Sequence, residues 1–285
     1  MFIEPMLLHP QENPFSDQDF LFEPKIDGHR LILSKSVEGV RLYTRHHNEC
    51  TGQYPELWDV PIDDDVVLDG EVCCADPETG NISFEMVMER FQLKNKTKIQ
   101  AYRNQSPVSY VVWDILFHKG RDLRKLPLAK RRSILESVLI TSDYFSIVPQ
   151  IDTRGEDLYQ SIVERSMEGI VAKRKSSTYV SRRSHDWIKV INYQYADVYL
   201  AGYRKNEFGW LVYVMENGKL RPAGIIELGV SPTHKKAFRS VCKQLEIGED
   251  KSFVYLQPRI QAKVKFRNWT RHGMLRTPSF VDFIL

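Results

Sequence analysis

Between residues 19 and 46 apolar and polar positions alternate in three short runs, Phe20-Leu-Phe22, Leu31-Ile-Leu33 and Val40-Arg-Leu-Tyr43, with Glu38-Gly39 as a turn before the last. A period of two sends successive side chains to opposite faces, so the pattern predicts strands broken by turns. Val66-Val-Leu-Asp-Gly-Glu-Val72 and Tyr110-Val-Val-Trp-Asp-Ile-Leu-Phe117 are apolar runs rich in β-formers and predict two more. Helical spacing over 127–139, opened by Pro127, and over 156–167 predicts two helices. The second leads through Glu168-Gly169 into Ile170-Val-Ala-Lys173, a further strand.

After about Val190 the texture becomes all-β. Tyr199-Leu-Ala-Gly-Tyr203, Trp210-Leu-Val-Tyr-Val214 and Ala223-Gly-Ile-Ile-Glu-Leu228 alternate, Asn217-Gly218 marks a hairpin turn, and a helical stretch over 233–245 precedes Ile260-Gln-Ala-Lys-Val-Lys-Phe266. About five short strands with one helix fit a small barrel of the OB type, a common nucleic-acid binder. The expectation is an α+β domain over 1–193 and an all-β domain over 194–285.

Composition adds little to this picture, except in the placing of charge. At 285 residues, 42% hydrophobic and 11% aromatic, the chain has the make-up of a globular protein with room for two cores. No apolar run approaches the roughly 18 residues of a membrane helix, and the N-terminus lacks the features of a signal peptide. The four cysteines form no CxxC pair and no disulfide framework, which points to the cytoplasm. The net charge is +3, but from Gln194 onward 15 Lys and Arg face 8 Asp and Glu, a local net of +7. A basic C-terminal part beside a mildly acidic N-terminal one points to a polyanionic partner.

Candidate chemistry centres on Lys25, in Glu23-Pro-Lys-Ile-Asp-Gly-His-Arg30. A lysine amine with an ordinary pKa near 10.4 is almost wholly protonated at neutral pH, and lowering that pKa by about three units costs roughly 4 kcal/mol. Arg30, Arg45, Lys173 and Lys189 are candidate cations for the task. Asp27 can orient the amine or hold a metal, and Gly28 lets the backbone approach a phosphate closely.

Lys25-x-Asp27-Gly28-x-Arg30 resembles motif I of the covalent nucleotidyltransferases, the superfamily of DNA ligases, RNA ligases and mRNA capping enzymes. Further strings resemble its later motifs in order: Tyr43-Thr-Arg45 (Ia), Leu68-Asp-Gly-Glu71-Val72 (III), Trp113 in Val112-Trp-Asp-Ile115 (IIIa), Glu168-Gly-Ile-Val-Ala-Lys173 (IV) and Trp187-Ile-Lys189-Val190 (V). Singly each has an ordinary reading, such as a β-turn at Asp69-Gly70 or core packing for Trp113. In order along one chain they outweigh those readings. The stretch from Glu168 to Val190, with Phe266-Arg-Asn-Trp-Thr270, is similar to the ligase module of bacterial end-joining DNA ligases.

The resemblance implies a nucleotidyltransferase domain of antiparallel sheets and flanking helices, followed by an OB domain. It implies that Lys25 takes AMP from ATP and passes it to the 5′-phosphate of nicked double-stranded DNA, where the 3′-hydroxyl displaces it. It assigns adenine to the Glu23 backbone and Trp113, the ribose to Arg30 and Glu71, and phosphates to Arg45, Lys173 and Lys189. Mg²⁺ or Mn²⁺ goes to Asp27, Glu71 and Glu168. Lys263, Lys265, Arg267 and Arg271 are expected to grip the DNA backbone. A monomeric, stand-alone, nucleoid-associated ligase is expected, with an end-binding protein as a partner. The alternatives are a capping-type guanylyltransferase and a nick-binding protein of weakened activity. Two departures stand out: Ile191 replaces the second lysine of the usual Lys-x-Lys in motif V, and Ser279-Phe-Val-Asp-Phe-Ile-Leu285 stands where an Arg-x-Asp-Lys motif VI would begin.

Overall fold

A computed structural model describes residues 1–284 as two compact units, Met1–Asn192 and Tyr193–Leu285. In chain order the first contains β1 (Leu7–Gln11), β2 (Phe20–Pro24), β3 (His29–Ser36), β4 (Gly39–Thr44), β5 (Val66–Cys73), α1 (Phe84–Gln92), α2 (Lys96–Gln105), β6 (Ser109–His118), β7 (Arg121–Asp122), α3 (Leu128–Val138), β8 (Phe145–Ile147), β9 (Ile151–Asp152), α4 (Gly155–Glu164), β10 (Gly169–Arg174) and β11 (Arg183–Ile191). The second contains β12 (Gln194–Arg204), β13 (Trp210–Glu216), β14 (Lys219–Ile226), α5 (Pro232–Cys242), β15 (Glu246–Glu249), β16 (Phe253–Phe266) and β17 (Ser279–Ile284).

Two sheets build the first unit. One runs β1-β11-β10-β2-β9, antiparallel except for the parallel β1–β11 pair. Alternation along β2, β10 and β11 sends Phe20, Phe22, Ile170, Ala172, Ile188 and Val190 to one face, where Leu158 and Ile162 of α4 cover them. Phe22 is fully buried there, and its truncation to Ala would cost about 3–5 kcal/mol. The other sheet runs β4-β3-β5-β6-β7, with β8 parallel to β6. Leu31, Leu33, Leu68, Val72, Tyr110 and Val112 pack into its core with Met86 and Val87 of α1 and Leu135 of α3.

Helices α1 and α2 lie outside the elements expected from apolar spacing, and their starts are set by caps. Ser83 accepts a hydrogen bond from the Met86 amide and Asn95 from the Lys98 amide, each satisfying an end group that the helix leaves open, for about 1 kcal/mol.

In the second unit β12, β13 and β14 form a meander, β16 returns beside β12, and β17 lies against β16. A parallel bridge between Leu228 and Ser279, with the Phe280 amide donating to the Leu228 carbonyl at 2.9 Å, joins the end of the meander to β17 and closes the ring. The ring has five strands, β12, β13, β14, β16 and β17, with α5 between its third and fourth and the short β15 paired on β16 outside it, the arrangement of an OB fold. The bend that lets β12 pair on both sides falls at Gly202, where a Cβ would sit 2.6 Å from the Val254 carbonyl oxygen. Asn217 and Gly218 both take positive φ, 50° and 75°, as a tight hairpin requires. Among the described residues no helix is long and apolar enough to cross a membrane.

Candidate active site

The faces that the two N-terminal sheets turn away from their own cores carry the charged residues. On the first sheet Glu23 lies opposite Val171, which lies opposite Lys189; two residues along β10, Lys173 lies opposite Leu21 and Trp187. On the second, Arg30 lies opposite Glu71 and Ile32 opposite Asp69. Trp113 occupies a bulge in β6, where the pairing jumps from Asp69–Asp114 to Gly70–Val112. A bulge re-aims the side chain it carries. Far from marking a turn, Gly70 lies inside this ladder, and a Cβ there would meet the Val111 carbonyl oxygen at 2.6 Å.

Lys25 lies on the four-residue connection from β2 in one sheet to β3 in the other. Its amide donates to the Gly169 carbonyl at 2.8 Å, and its ammonium contacts Glu168 Oε2 at 2.8 Å. Gly169 has φ 151°, and a Cβ there would fall 2.2 Å from the Val190 carbonyl oxygen, so the Glu168-Gly169 step tolerates no side chain at its second position. Gly28 has a similar reason: a Cβ would come within 2.1 Å of the Val72 carbonyl oxygen. Its bareness serves packing of the connection onto β5, beside Glu71.

Around Lys25 opposite charges are matched. Arg30 donates twice to Asp69, at 2.9 and 2.6 Å, and Tyr179 Oη donates to the same carboxylate at 2.8 Å. Burial opposes the Arg30 charge, but Asp69, Tyr179 and Glu71 together outweigh it and raise the guanidinium pKa. Lys173, 2% exposed, pairs with Glu23 at 2.6 Å, and Gln150 donates to the other Glu23 oxygen at 2.7 Å. Burial pulls the Lys173 pKa below its ordinary value, against the pull of Glu23. Two cations lie over the Trp113 ring, the Arg30 guanidinium 5.3 Å and the Lys173 ammonium 5.2 Å from its centroid. Its indole N–H is buried without a partner among the described residues.

Glu71 differs. Burial pushes its carboxyl up to about 8, with Glu168 and Asp27 adding to the rise while Lys25 and Arg30 hold it back. A buried carboxylate held out of its ordinary range is stabilised by an incoming cation. Among the described residues no group of three or more His, Cys, Asp or Glu converges as a ready-made metal site. Glu71, held high by burial, and Glu168 offer oxygen donors of the kind a hard ion takes.

Of the candidate residues, Glu23, Lys25, Asp27, Arg30, Glu71, Trp113, Glu168, Lys173 and Lys189 share this region. Arg45 follows β4 directly, one step beyond the Leu31–Thr44 pair and so beside Arg30; it is exposed, with its Nε on His46 Nε2 at 3.0 Å. Asp69, Gln150 and Tyr179 join the network without having been singled out. Asp69 was visible within its string; nothing in the sequence marks Gln150 or Tyr179, which reach the site from 127 and 110 residues away along the chain. In the second unit Lys263 and Lys265 alternate with buried Ala262, Val264 and Phe266, so they face outward. Their ammonium groups lie over Tyr195 and Tyr193, and Arg267 lies over Tyr193; Arg271 is in the exposed turn after Thr270.

Residues 5–190 match the family described as ATP dependent DNA ligase domain. The chain is 37% identical over 281 residues to the SPbeta prophage-derived DNA ligase-like protein LigB of Bacillus subtilis, covering 98% of each. It is 28% identical over 289 residues to the bifunctional non-homologous end joining protein LigD of the same organism, spanning 93% of this chain but 46% of LigD. The fold is shared with mycobacterial DNA ligase D complexed with ATP and MES (TM-score 0.59, 24% identity, 98% of this chain and 94% of that one). It is shared also with a Lig E DNA ligase (TM-score 0.67, 17% identity, 99% and 100% covered).

Proposed function

The chain belongs to the family of ATP-dependent DNA ligases, and from that premise we propose that Lys25 is the residue that carries AMP. The observation that carries this reading is the position of its ammonium, on the connection between two charged sheet faces and 2.8 Å from Glu168. Loss of a proton, for which the Glu168 carboxylate is the adjacent acceptor, leaves a lone pair on Nζ. That lone pair attacks the α-phosphorus of ATP, a P–N bond forms, and pyrophosphate leaves with the electrons of the broken P–O bond. The 5′-phosphate of a nick then takes the AMP from Lys25, and the 3′-hydroxyl displaces AMP to form the phosphodiester.

Each step brings anions together, so catalysis is mainly alignment and charge neutralisation. Trp113 offers its ring to the adenine, and Arg30, fixed by Asp69 and Tyr179, meets the ribose without searching for its rotamer. Lys189 supplies positive charge to the α-phosphate. Lys173 contributes less than its position implies, because Glu23 matches its charge. Mg²⁺ or Mn²⁺ held by Glu71 and Glu168, with Asp27 beside them, would offset charge on the phosphates. Lys263, Lys265, Arg267 and Arg271 contact the sugar-phosphate backbone of nicked duplex DNA without reading sequence. The protein acts as a monomer on nucleoid DNA in the cytoplasm, and an end-binding protein delivers its breaks.

The test is adduct formation with α-labelled ATP, with labelled GTP as the control. A label on the wild-type chain from ATP alone, absent from Lys25→Ala, is expected. An adduct that survives Lys25→Ala would remove the assignment, and a GTP-specific adduct would move the chain to capping chemistry.

A further inference from the structure

Helix α5 and the short turn that continues it carry Lys235, Arg239 and Lys243 at four-residue spacing, and no acidic residue occurs from Ser231 to Leu245. Four residues rise about 6 Å, so the cations form a row along one helix face. Like charges at that spacing destabilise a helix. Nothing in the barrel offsets them: among the described residues none of the three forms an ion pair, whereas nearby Arg204 pairs with Glu207 and Glu227, and Lys205 with Glu249.

The row edges a cavity of about 510 Å³ between α5 and the β12–β13 connection. Trp210 and Phe238, with ring centroids 4.6 Å apart, are buried beneath it. Phe208 and Tyr203 are half-buried in its wall, and Lys235 lies 3.8 Å from the Phe208 centroid. The cavity thus joins an aromatic wall to a periodic line of unmatched positive charge. This is a different surface from the outward face of β16 that carries Lys263 and Lys265.

We infer that this part of the barrel binds an unpaired DNA strand, with successive phosphates along Lys235, Arg239 and Lys243 and one base in the cavity against Phe208 and Tyr203. A basic track beside stacking aromatics is how proteins hold single strands without reading their sequence. A duplex can meet the cations but keeps its bases stacked inside, out of reach of the cavity. An acidic peptide can also meet the cations, yet it has no fixed anion repeat to match the spacing of the row. The inference rests on the ligase reading and gives it a substrate class: breaks whose ends carry an unpaired overhang or flap.

The test uses the full chain and fluorescence anisotropy, with labelled oligo(dT) of about 12 nucleotides and, separately, a nicked duplex without overhangs. Combined Lys235→Gln, Arg239→Gln and Lys243→Gln should weaken oligo(dT) binding at least about tenfold and flatten its log–log salt dependence by about 2, from roughly 0.7 per phosphate contact. Nicked-duplex affinity and the AMP adduct should stay within about twofold of wild type, as independent sites do. Phe208→Ala should weaken oligo(dT) binding about tenfold, and Phe208→Trp, which keeps a stacking face, should restore it. Three results would each overturn the inference: unchanged oligo(dT) binding in the triple variant, equal weakening of both DNAs, or failure to bind oligo(dT) with variant-sensitive binding of an Asp/Glu-rich peptide instead. A wild-type chain that binds oligo(dT) but forms no AMP adduct would sink the ligase reading of Lys25 and leave this one standing.

Discussion

Charge is handled in two ways, one in the N-terminal cleft and the other on the faces of the barrel that carry stacked lysines. In the N-terminal cleft cations meet carboxylates at close range and out of water: Lys25 with Glu168, Arg30 with Asp69, Lys173 with Glu23 and, deeper, Arg131 with Asp114. In the barrel Lys235, Lys263 and Lys265 lie over aromatic rings, while Arg204 and Lys205 form ion pairs nearer the surface. A buried pair is rigid and costly to break, whereas a cation over a ring keeps its charge available to an incoming anion. The first arrangement fixes a reacting atom; the second suits a long polyanion met in many registers.

The contrast can be tested where it is sharpest. Lys25→Ala should eliminate the AMP adduct and, with it, nick sealing from ATP, read by gel autoradiography; no single barrel substitution should do so. Next in size is Arg131→Met. Arg131 donates to both Asp114 oxygens at 2.8 Å and to the Leu126 and Ser177 carbonyls, and both side chains are fully buried. Removing it should cost about 3–5 kcal/mol by urea unfolding, while Arg131→Met with Asp114→Leu should recover most of that loss. Equal destabilisation by Lys265→Ala would erase the distinction between the units.

Glu71 gives a pH signature. In the unfolded chain its carboxyl ionises near 4.5, in the folded protein near about 8, so unfolding releases a proton between those values. Its contribution to stability is fully present below about 4.5, falls as pH rises through the window, and is exhausted above about 8, a span on the order of a few kcal/mol. Glu71→Gln should flatten that stretch of the stability curve, and added Mg²⁺ should lower the pH at which wild type reaches its plateau. A curve indifferent to both changes would refute the stranded carboxylate. The smallest effect belongs to the barrel: Lys265→Ala with Arg267→Ala should weaken nicked-duplex binding and reduce the salt slope by up to about 2, leaving the adduct yield unchanged.

Much of this was legible in the sequence, for a physical reason. The strands that build the cleft have one apolar face and one functional face, so alternation in Phe20-Leu-Phe-Glu23 shows both the element and the residue it presents. Helices α3, α4 and α5 match the predicted stretches, α4 and α5 starting one residue earlier; α2 is held by its cap and by little buried apolar surface, Ile99 alone, which periodicity reads poorly, whereas α1 has as clear an apolar face as α4 and lies outside those stretches all the same. The OB topology followed from strand count, but ring closure depends on one bridge, Leu228 to Ser279, that no local pattern announces. At the site, motif strings marked the residues that face the ligand. They could not mark those that hold them, Tyr179 on Asp69 and Gln150 on Glu23, because those bonds join distant parts of the chain. Nor could they show that Glu23 matches the charge of Lys173.

The connection that carries Lys25 has a mechanical consequence. Its two ends are anchored in different sheets, tied to one by the Gly169 carbonyl and continuous with the other through β3. A group attached to Lys25 is therefore held in register with both charged faces at once, as a rivet holds two plates, and a change that loosens either sheet reaches the reacting atom.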